Sequence, residues 1–171
     1  MLLNQKGHYT AYGGILTALS LVFLMIASVV PTGRLVFVFL ASALVGVAFC
    51  LSGVKLSLLC YFATALLSVF FVQNKTYSAL YIIAVGNYPV VKLYADSIKT
   101  TPVRLIVKTI VFNIYIAVSV AVGTFVLNMN FETKYPFAFL WIAMVLLFFV
   151  YDNAYSLFMS KIGYVLNKIK K

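Results

Sequence analysis

Apolar residues run along this chain in blocks of roughly 20, the length of one bilayer crossing, and short polar clusters separate them. The blocks cover 9–30, 35–51, 56–72, 78–93, 104–127 and 137–160. Between the first three lie Pro31-Thr32-Gly33-Arg34 and Ser52-Gly53-Val54-Lys55. Pro and Gly end helices, and the bases mark an aqueous edge. Gln73-Asn74-Lys75-Thr76 closes the third block. Tyr94–Val103, with Asp96, Lys99 and Pro102, is the longest polar connection and has the makings of an amphipathic surface piece. Asn128–Pro136 is a polar loop holding Glu132 and Lys134. A basic tail at 161–171 follows the last block, suited to lie as an amphipathic helix on anionic headgroups. The pattern predicts an all-α integral membrane protein, a bundle of six transmembrane helices in a single domain over 1–171.

The fourth block is unlike the others. It opens as an apolar helix and meets Gly86-Asn87-Tyr88-Pro89 halfway. Proline has no N–H and its ring crowds the preceding turn, so Pro89 should free the Val85 carbonyl and bend the helix. A freed carbonyl survives at membrane depth only against protein or water. The break therefore predicts that the fourth crossing is enclosed by the other five.

Composition agrees with lipid as the solvent. Of 171 residues, 64% are hydrophobic and 9% charged, against about 25% charged in soluble domains. The net charge of +10 does not point to nucleic acid, because the bases form no continuous face with interleaved aromatics. It sets orientation instead. With the N-terminus in the cytoplasm, Lys6, Lys55, Lys92, Lys99, Arg104, Lys108, Lys161, Lys168, Lys170 and Lys171 fall inside, and only Arg34, Lys75 and Lys134 fall outside. That bias favours an even number of spans with both termini cytoplasmic. The first apolar run is too long for a cleavable signal, though it is compatible with an uncleaved signal anchor.

The inventory for catalysis is poor. The acids are Asp96, Glu132 and Asp152, and the lone histidine is His8. Nothing groups them as a metal site, a carboxylate pair or a Ser/His/Asp arrangement, so neither a catalytic residue, a metal nor a cofactor is expected. No phosphate-binding Gly-rich loop is present, so any ATP use belongs to a partner. Cys50 and Cys60 lie within apolar blocks with no metal-ligand spacing and read as small hydrophobes.

Polar residues inside the blocks still fall at comparable depths. Asp152 lies roughly 12 Å from the cytoplasmic end of its span, Asn113 roughly 13 Å and Asn87 roughly 9 Å, at a rise of 1.5 Å per residue. A buried charge in lipid is normally paired. Asn87, Asn113, Asp152 and its neighbour Asn153 form a candidate inner polar layer, with Lys108 as counter-ion. Such a layer either glues helices together or relays binding of a ligand or partner. At the other end, Arg34, Asn74, Lys75 and Asn128 lie in the outer loops. Tyr77, Tyr81, Tyr135 and Trp141 occupy the adjacent helix ends. Bases, amides and aromatics together make either a cradle for a small flat or anionic solute or an aromatic belt with snorkelling bases. In the first block, Ala11, Gly14 and Ala18 place small residues at helical spacing. That suits either close packing inside the bundle or docking of a partner subunit.

Three segments, GGILTALSLVFLMIASVVPTGR (Gly13–Arg34), LSGVKLSLLCYFATALLSVFFVQNK (Leu51–Lys75) and ALYIIAVGNYPVVK (Ala79–Lys92), carry a family resemblance. With six short spans and a basic tail, the chain resembles the substrate-binding S components of energy-coupling factor (ECF) transporters. Within that group it looks closest to the YybS-like membrane proteins of Firmicutes. The likeness covers about the first two thirds of the chain and implies an S-component-like fold. It further implies capture of a small-molecule solute at the outer face and docking on a T component that carries two ATPases. The family docks through an Ala-x-x-x-Ala stretch in its first helix; the matching positions here are Gly14 and Ala18. Its pocket maps onto the Arg34, Asn74, Tyr77, Tyr81 and Asn128 neighbourhood. The expectation is a non-enzymatic solute-binding membrane subunit. The alternative is a scaffold subunit that binds another membrane protein and carries no solute, and a membrane-embedded enzyme ranks third.

Overall fold

The computed structural model describes residues 2–125 and 137–169. They form seven α-helices and one π-helical turn, with no strand among them. The helices are α1 (Leu2–Val29), α2 (Arg34–Ser52), α3 (Val54–Phe71), α4 (Lys75–Leu80), α5 (Tyr88–Asp96), α6 (Thr101–Phe125) and α7 (Phe137–Ile169). The π turn, Tyr81–Val85, continues α4. Five helices are long and apolar enough to cross a membrane: α1 over Thr10–Val29, α2, α3, α6 over Thr101–Thr124 and α7 over Trp141–Gly163. The fourth apolar block is helical in three pieces of 6, 5 and 9 residues, none of which spans alone. Its break falls at Gly86 and Asn87.

The helix ends differ from the sequence reading after the fourth block. The fourth block was expected to end at Leu93, with a polar connection over Tyr94–Val103. Instead α5 runs on to Asp96, and α6 begins at Thr101. Pro102 sits in the first turn of α6, where a missing N–H costs nothing. The basic tail, as far as Ile169, is helical and continuous with the last span. The α7 backbone stays helical to Ile169, so its 33 residues extend over about 50 Å, beyond the roughly 30 Å hydrocarbon core.

The chain divides into two compact units, Met1–Tyr94 and Ala95–Lys171. In the first, α1 packs on both α2 and α3, and α2 packs on α3. A single residue, Gly53, joins α2 to α3. Its φ of 78° and ψ of −164° lie in a region essentially reserved for glycine, which explains how the chain reverses without a loop. The core of this unit consists of Leu24, Ala27, Val38, Ala41, Val45, Tyr61, Ala65, Val72, Tyr81 and Val85. In the second unit α6 and α7 pack on each other, and the Phe112 and Phe148 rings stack at 4.1 Å.

Small hydroxyls knit the first unit together. Ser20 donates to the Ala41 carbonyl at 3.1 Å, Ser57 to Val45 at 3.0 Å and Ser78 to Ser68 at 2.9 Å, all buried. The Cys60 thiol reaches the Gly13 carbonyl at 3.5 Å. Each bond joins two different helices. Short side chains let the backbones approach, and the hydroxyls then find carbonyls across the gap.

Candidate functional site

The broken helix is held by its neighbours at two carbonyls. In the π turn, the Gly86 N–H donates to the Tyr81 carbonyl at 2.7 Å. That takes Gly86 away from Ile82, its partner in an α-helix. The Tyr61 hydroxyl on α3 donates to the Ile82 carbonyl instead, at 2.7 Å. Pro89 cannot donate to Val85. The Ser42 hydroxyl on α2 donates to that carbonyl at 2.6 Å, in a buried site. Beyond the break, Val90 and Val91 both donate to the Asn87 carbonyl and start α5. Gly86 fits because it has no side chain: a Cβ there would lie 2.9 Å from the Tyr61 ring and 2.7 Å from the Tyr81 carbonyl oxygen. Asn87 is half-buried, and its Oδ1 is enclosed without a hydrogen-bond partner.

The second unit contains a charge cluster. Lys108 on α6 is buried, with a side chain only 6% exposed. Its Nζ lies 2.9 Å from Oδ2 and 3.3 Å from Oδ1 of Asp152 on α7. The same ammonium lies 2.7 Å from Oδ1 of Asp96, at the end of α5. Two carboxylates therefore share one lysine. Their settings differ: the Asp152 side chain is 11% exposed and that of Asp96 38%. Within the expected inner layer, Lys108 and Asp152 are joined. Asn113 bonds back to the Thr109 carbonyl of its own helix at 2.7 Å. Asn153 is exposed, and Asn87 belongs to the first unit.

The bases of the expected outer cluster sit at helix ends. Arg34 opens α2; its Nε donates to the Val30 carbonyl at 2.7 Å and its Nη1 to the Tyr77 hydroxyl at 2.9 Å. The guanidinium also stands 5.7 Å from the Tyr77 ring centroid. Lys75 opens α4, and its Nζ donates to the Val69 and Val72 carbonyls at 2.6 and 3.0 Å. Cations at the ends of α1 and α3 complement the exposed carbonyls there. Asn74 caps α4 by accepting from the Thr76 N–H at 3.1 Å. Tyr81 lies wholly inside the core, and Trp141 is half-buried on α7 in the other unit. Asn128 and Tyr135 lie outside the described residues.

On α1, Ala11, Gly14 and Ala18 are all exposed. A Cβ on Gly14 would meet nothing within 4 Å. Gly13, one position earlier, faces the opposite way: a Cβ there would lie 2.8 Å from Leu56 on α3. The small-residue stripe is therefore not consumed by packing against α2 or α3.

Three participants were not singled out from sequence: Ser42, Tyr61 and Asp96. Asp96 had a signal, because it falls one turn after Lys92 and continues the helical period of α5. Ser42 and Tyr61 had none beyond being polar in apolar runs. Among the described residues no group of His, Cys, Asp or Glu side chains is arranged to hold a metal. Comparison with protein-family models, curated proteins and solved structures gives no match for this chain.

Proposed function

We propose that this chain is a non-catalytic subunit of a multi-component membrane assembly, crossing the cell membrane six times with both termini in the cytoplasm. It docks on a membrane helix of a partner through α1. The observation that carries this reading is the exposed stripe of Ala11, Gly14 and Ala18. Small residues at that spacing let another helix backbone come close, which is the chief source of helix association in lipid. The spans proposed are the five long helices and the broken α4–α5 segment. The positive-inside bias of the bases gives the orientation.

In its finer form the proposal is an S-component-like subunit of an ECF-type transporter. It would take a small solute at the outer side and hand it inward with a T component and two ATPases as the energising module. The segment resemblance supports that form. A second reading, a scaffold that carries no solute, is favoured by one observation: Arg34, Lys75 and Asn74 are all engaged on helix ends.

Purification of the full chain in mild detergent, followed by native mass spectrometry, tests both. A stoichiometric membrane partner that is lost in Gly14→Leu is the expected result. A small molecule retained on the wild-type chain selects the transporter form, and a partner without one selects the scaffold. A wild-type chain that emerges with neither overturns the proposal.

A further inference from the structure

The helix α7 carries two different sides. On one, Val145, Phe148, Asp152, Tyr155 and Met159 follow one another at alternating spacings of three and four residues, and each is buried or half-buried. This is the side that meets α6: Phe148 stacks on Phe112, and Asp152 pairs with Lys108. A second run keeps the same alternation through Ile142, Leu146, Phe149, Asn153, Ser156 and Ser160. Phe149 is half-buried there and the other five are exposed.

Between Trp141 and Ser160 the exposed polar residues are Asn153, Ser156 and Ser160, and all three fall on this second run; every other exposed residue there is apolar. The serines are satisfied within their own helix. Ser156 Oγ donates to the Asp152 carbonyl and Ser160 Oγ to the Leu157 carbonyl, both at 2.9 Å. The Asn153 amide is different: it makes no hydrogen bond to another described residue. Within the apolar stretch Trp141–Gly163 it stands about 18 Å from one end and about 15 Å from the other, at 1.5 Å per residue. That is close to the middle of the hydrocarbon. Lipid tails offer an amide neither donor nor acceptor, whereas a facing helix can supply both.

We propose that this face of α7 is the contact between two copies of the chain, lying parallel in the membrane, with Asn153 facing Asn153. The proposal rests on α7 crossing the bilayer and is independent of the docking face on α1. Three observations select a second copy as the occupant. An amide carries a donor and an acceptor, so the same group across a two-fold axis complements both. The run holds no charged residue, so two copies in one orientation meet no repulsion along it, and a charged partner would find nothing to pair with. Its alternation of three and four is the seam of a left-handed coiled coil, in which one asparagine fixes register and strand number. Toward Gly163 the small side chains of Ser156 and Ser160 let the two backbones approach closely.

Single-molecule photobleaching of the labelled full chain in lipid vesicles, over a series of protein-to-lipid ratios, tests this on the wild type alone. The expected result is a dimer whose fraction rises with protein density in the bilayer. Asn153→Ala should weaken dimerisation about three- to thirty-fold, the range for an interhelical hydrogen bond in membranes, and should melt close to wild type. Asn153→Gln, which keeps the amide, should retain most of the association. Gly14→Leu, which tests the face on α1, should leave the dimer intact. In a Cys50→Ala, Cys60→Ala background, oxidation should join two copies through Ser156→Cys. It should leave Phe158→Cys monomeric, since that residue lies about 200° round the helix from Ser156. A wild type that stays monomeric at every ratio overturns the proposal. So does a dimer indifferent to Asn153→Ala, or one that cross-links as well through Phe158→Cys as through Ser156→Cys.

Discussion

The Ser42 hydroxyl lies 2.6 Å from the Val85 carbonyl oxygen, 43 residues away in sequence, and fills the place that the missing N–H of Pro89 leaves empty. One side chain thus converts a helix-breaking residue into a tolerable one. In a helix interior proline costs about 3 kcal/mol or more, part of it for the orphaned carbonyl. In lipid, where water is absent, that part has to be recovered from protein.

Ser42→Ala should therefore lower stability by about 1–3 kcal/mol, the range for leaving a buried acceptor unmet. The sharper measurement is a double-mutant cycle. Pro89→Ala restores an N–H that can reach Val85, at a separate packing cost because Pro89 is fully buried. In that background Ser42→Ala should cost markedly less than in wild type. Equal costs in both backgrounds would mean that the hydroxyl and the proline act independently.

Gly86 and Gly14 should respond in opposite ways to the same change. Gly86→Ala drives a methyl to within 2.9 Å of the Tyr61 ring and 2.7 Å of the Tyr81 carbonyl oxygen. Overpacking of this kind costs about 1–3 kcal/mol, and it also displaces the Tyr61 hydroxyl from Ile82. Gly14→Ala meets nothing within 4 Å and should melt at the wild-type temperature or slightly above, because alanine is the better helix former. Thermal denaturation followed by circular dichroism in detergent separates the two.

How much of this was legible from residues alone follows from the range of each interaction. The break at Gly86–Pro89 and the loss of a donor to Val85 were readable, because proline geometry is local. Its remedy was not, since Ser42 is one of many small polar residues in apolar runs and only tertiary packing brings it to Val85. Lys108 and Asp152 could be matched across 44 residues by depth, because a straight helix converts sequence position into height. Asp96 was assigned to a loop, since its polarity ended the apolar block. Hydropathy marks the edge of the membrane, however, and not the end of a helix, and α5 continues to Asp96. The outer bases stay open between a cradle and snorkelling belt residues, because composition cannot tell a ligand-binding arginine from one that caps a helix.

The charge cluster should rank its members. Lys108→Met removes the shared cation and leaves Asp152 buried beside an apolar side chain, so it should cost the most, about 3–5 kcal/mol. Asp152→Asn should cost less than that, since Asp96 remains to balance Lys108. Asp96→Asn should cost the least of the three, because its carboxylate is 38% exposed and Asp152 still pairs with Lys108. Melting temperatures of the three variants in one detergent give the order. A result in which Asp96→Asn is the most damaging would show that the exposed carboxylate, and not the buried one, anchors Lys108.

Arg34 offers the most direct discrimination between a structural base and a solute site. Its guanidinium serves two acceptors at once, the Val30 carbonyl through Nε and the Tyr77 hydroxyl through Nη1. A lysine carries one compact ammonium and cannot reproduce that planar fork or its stacking on an aromatic face. Arg34→Lys should therefore lower stability by about 1 kcal/mol, the worth of a typical intramolecular hydrogen bond. Tyr77→Phe should cost less, because the ring and its contact with the guanidinium survive. The double variant should cost less than the two single changes added together, as expected for residues in direct contact. If Arg34→Lys melts with the wild type, the guanidinium is not needed to hold the end of α1, and its place beside Tyr77 is then better explained by a bound solute. That outcome would shift the balance from the scaffold toward the transporter form, without any change to the docking face on α1.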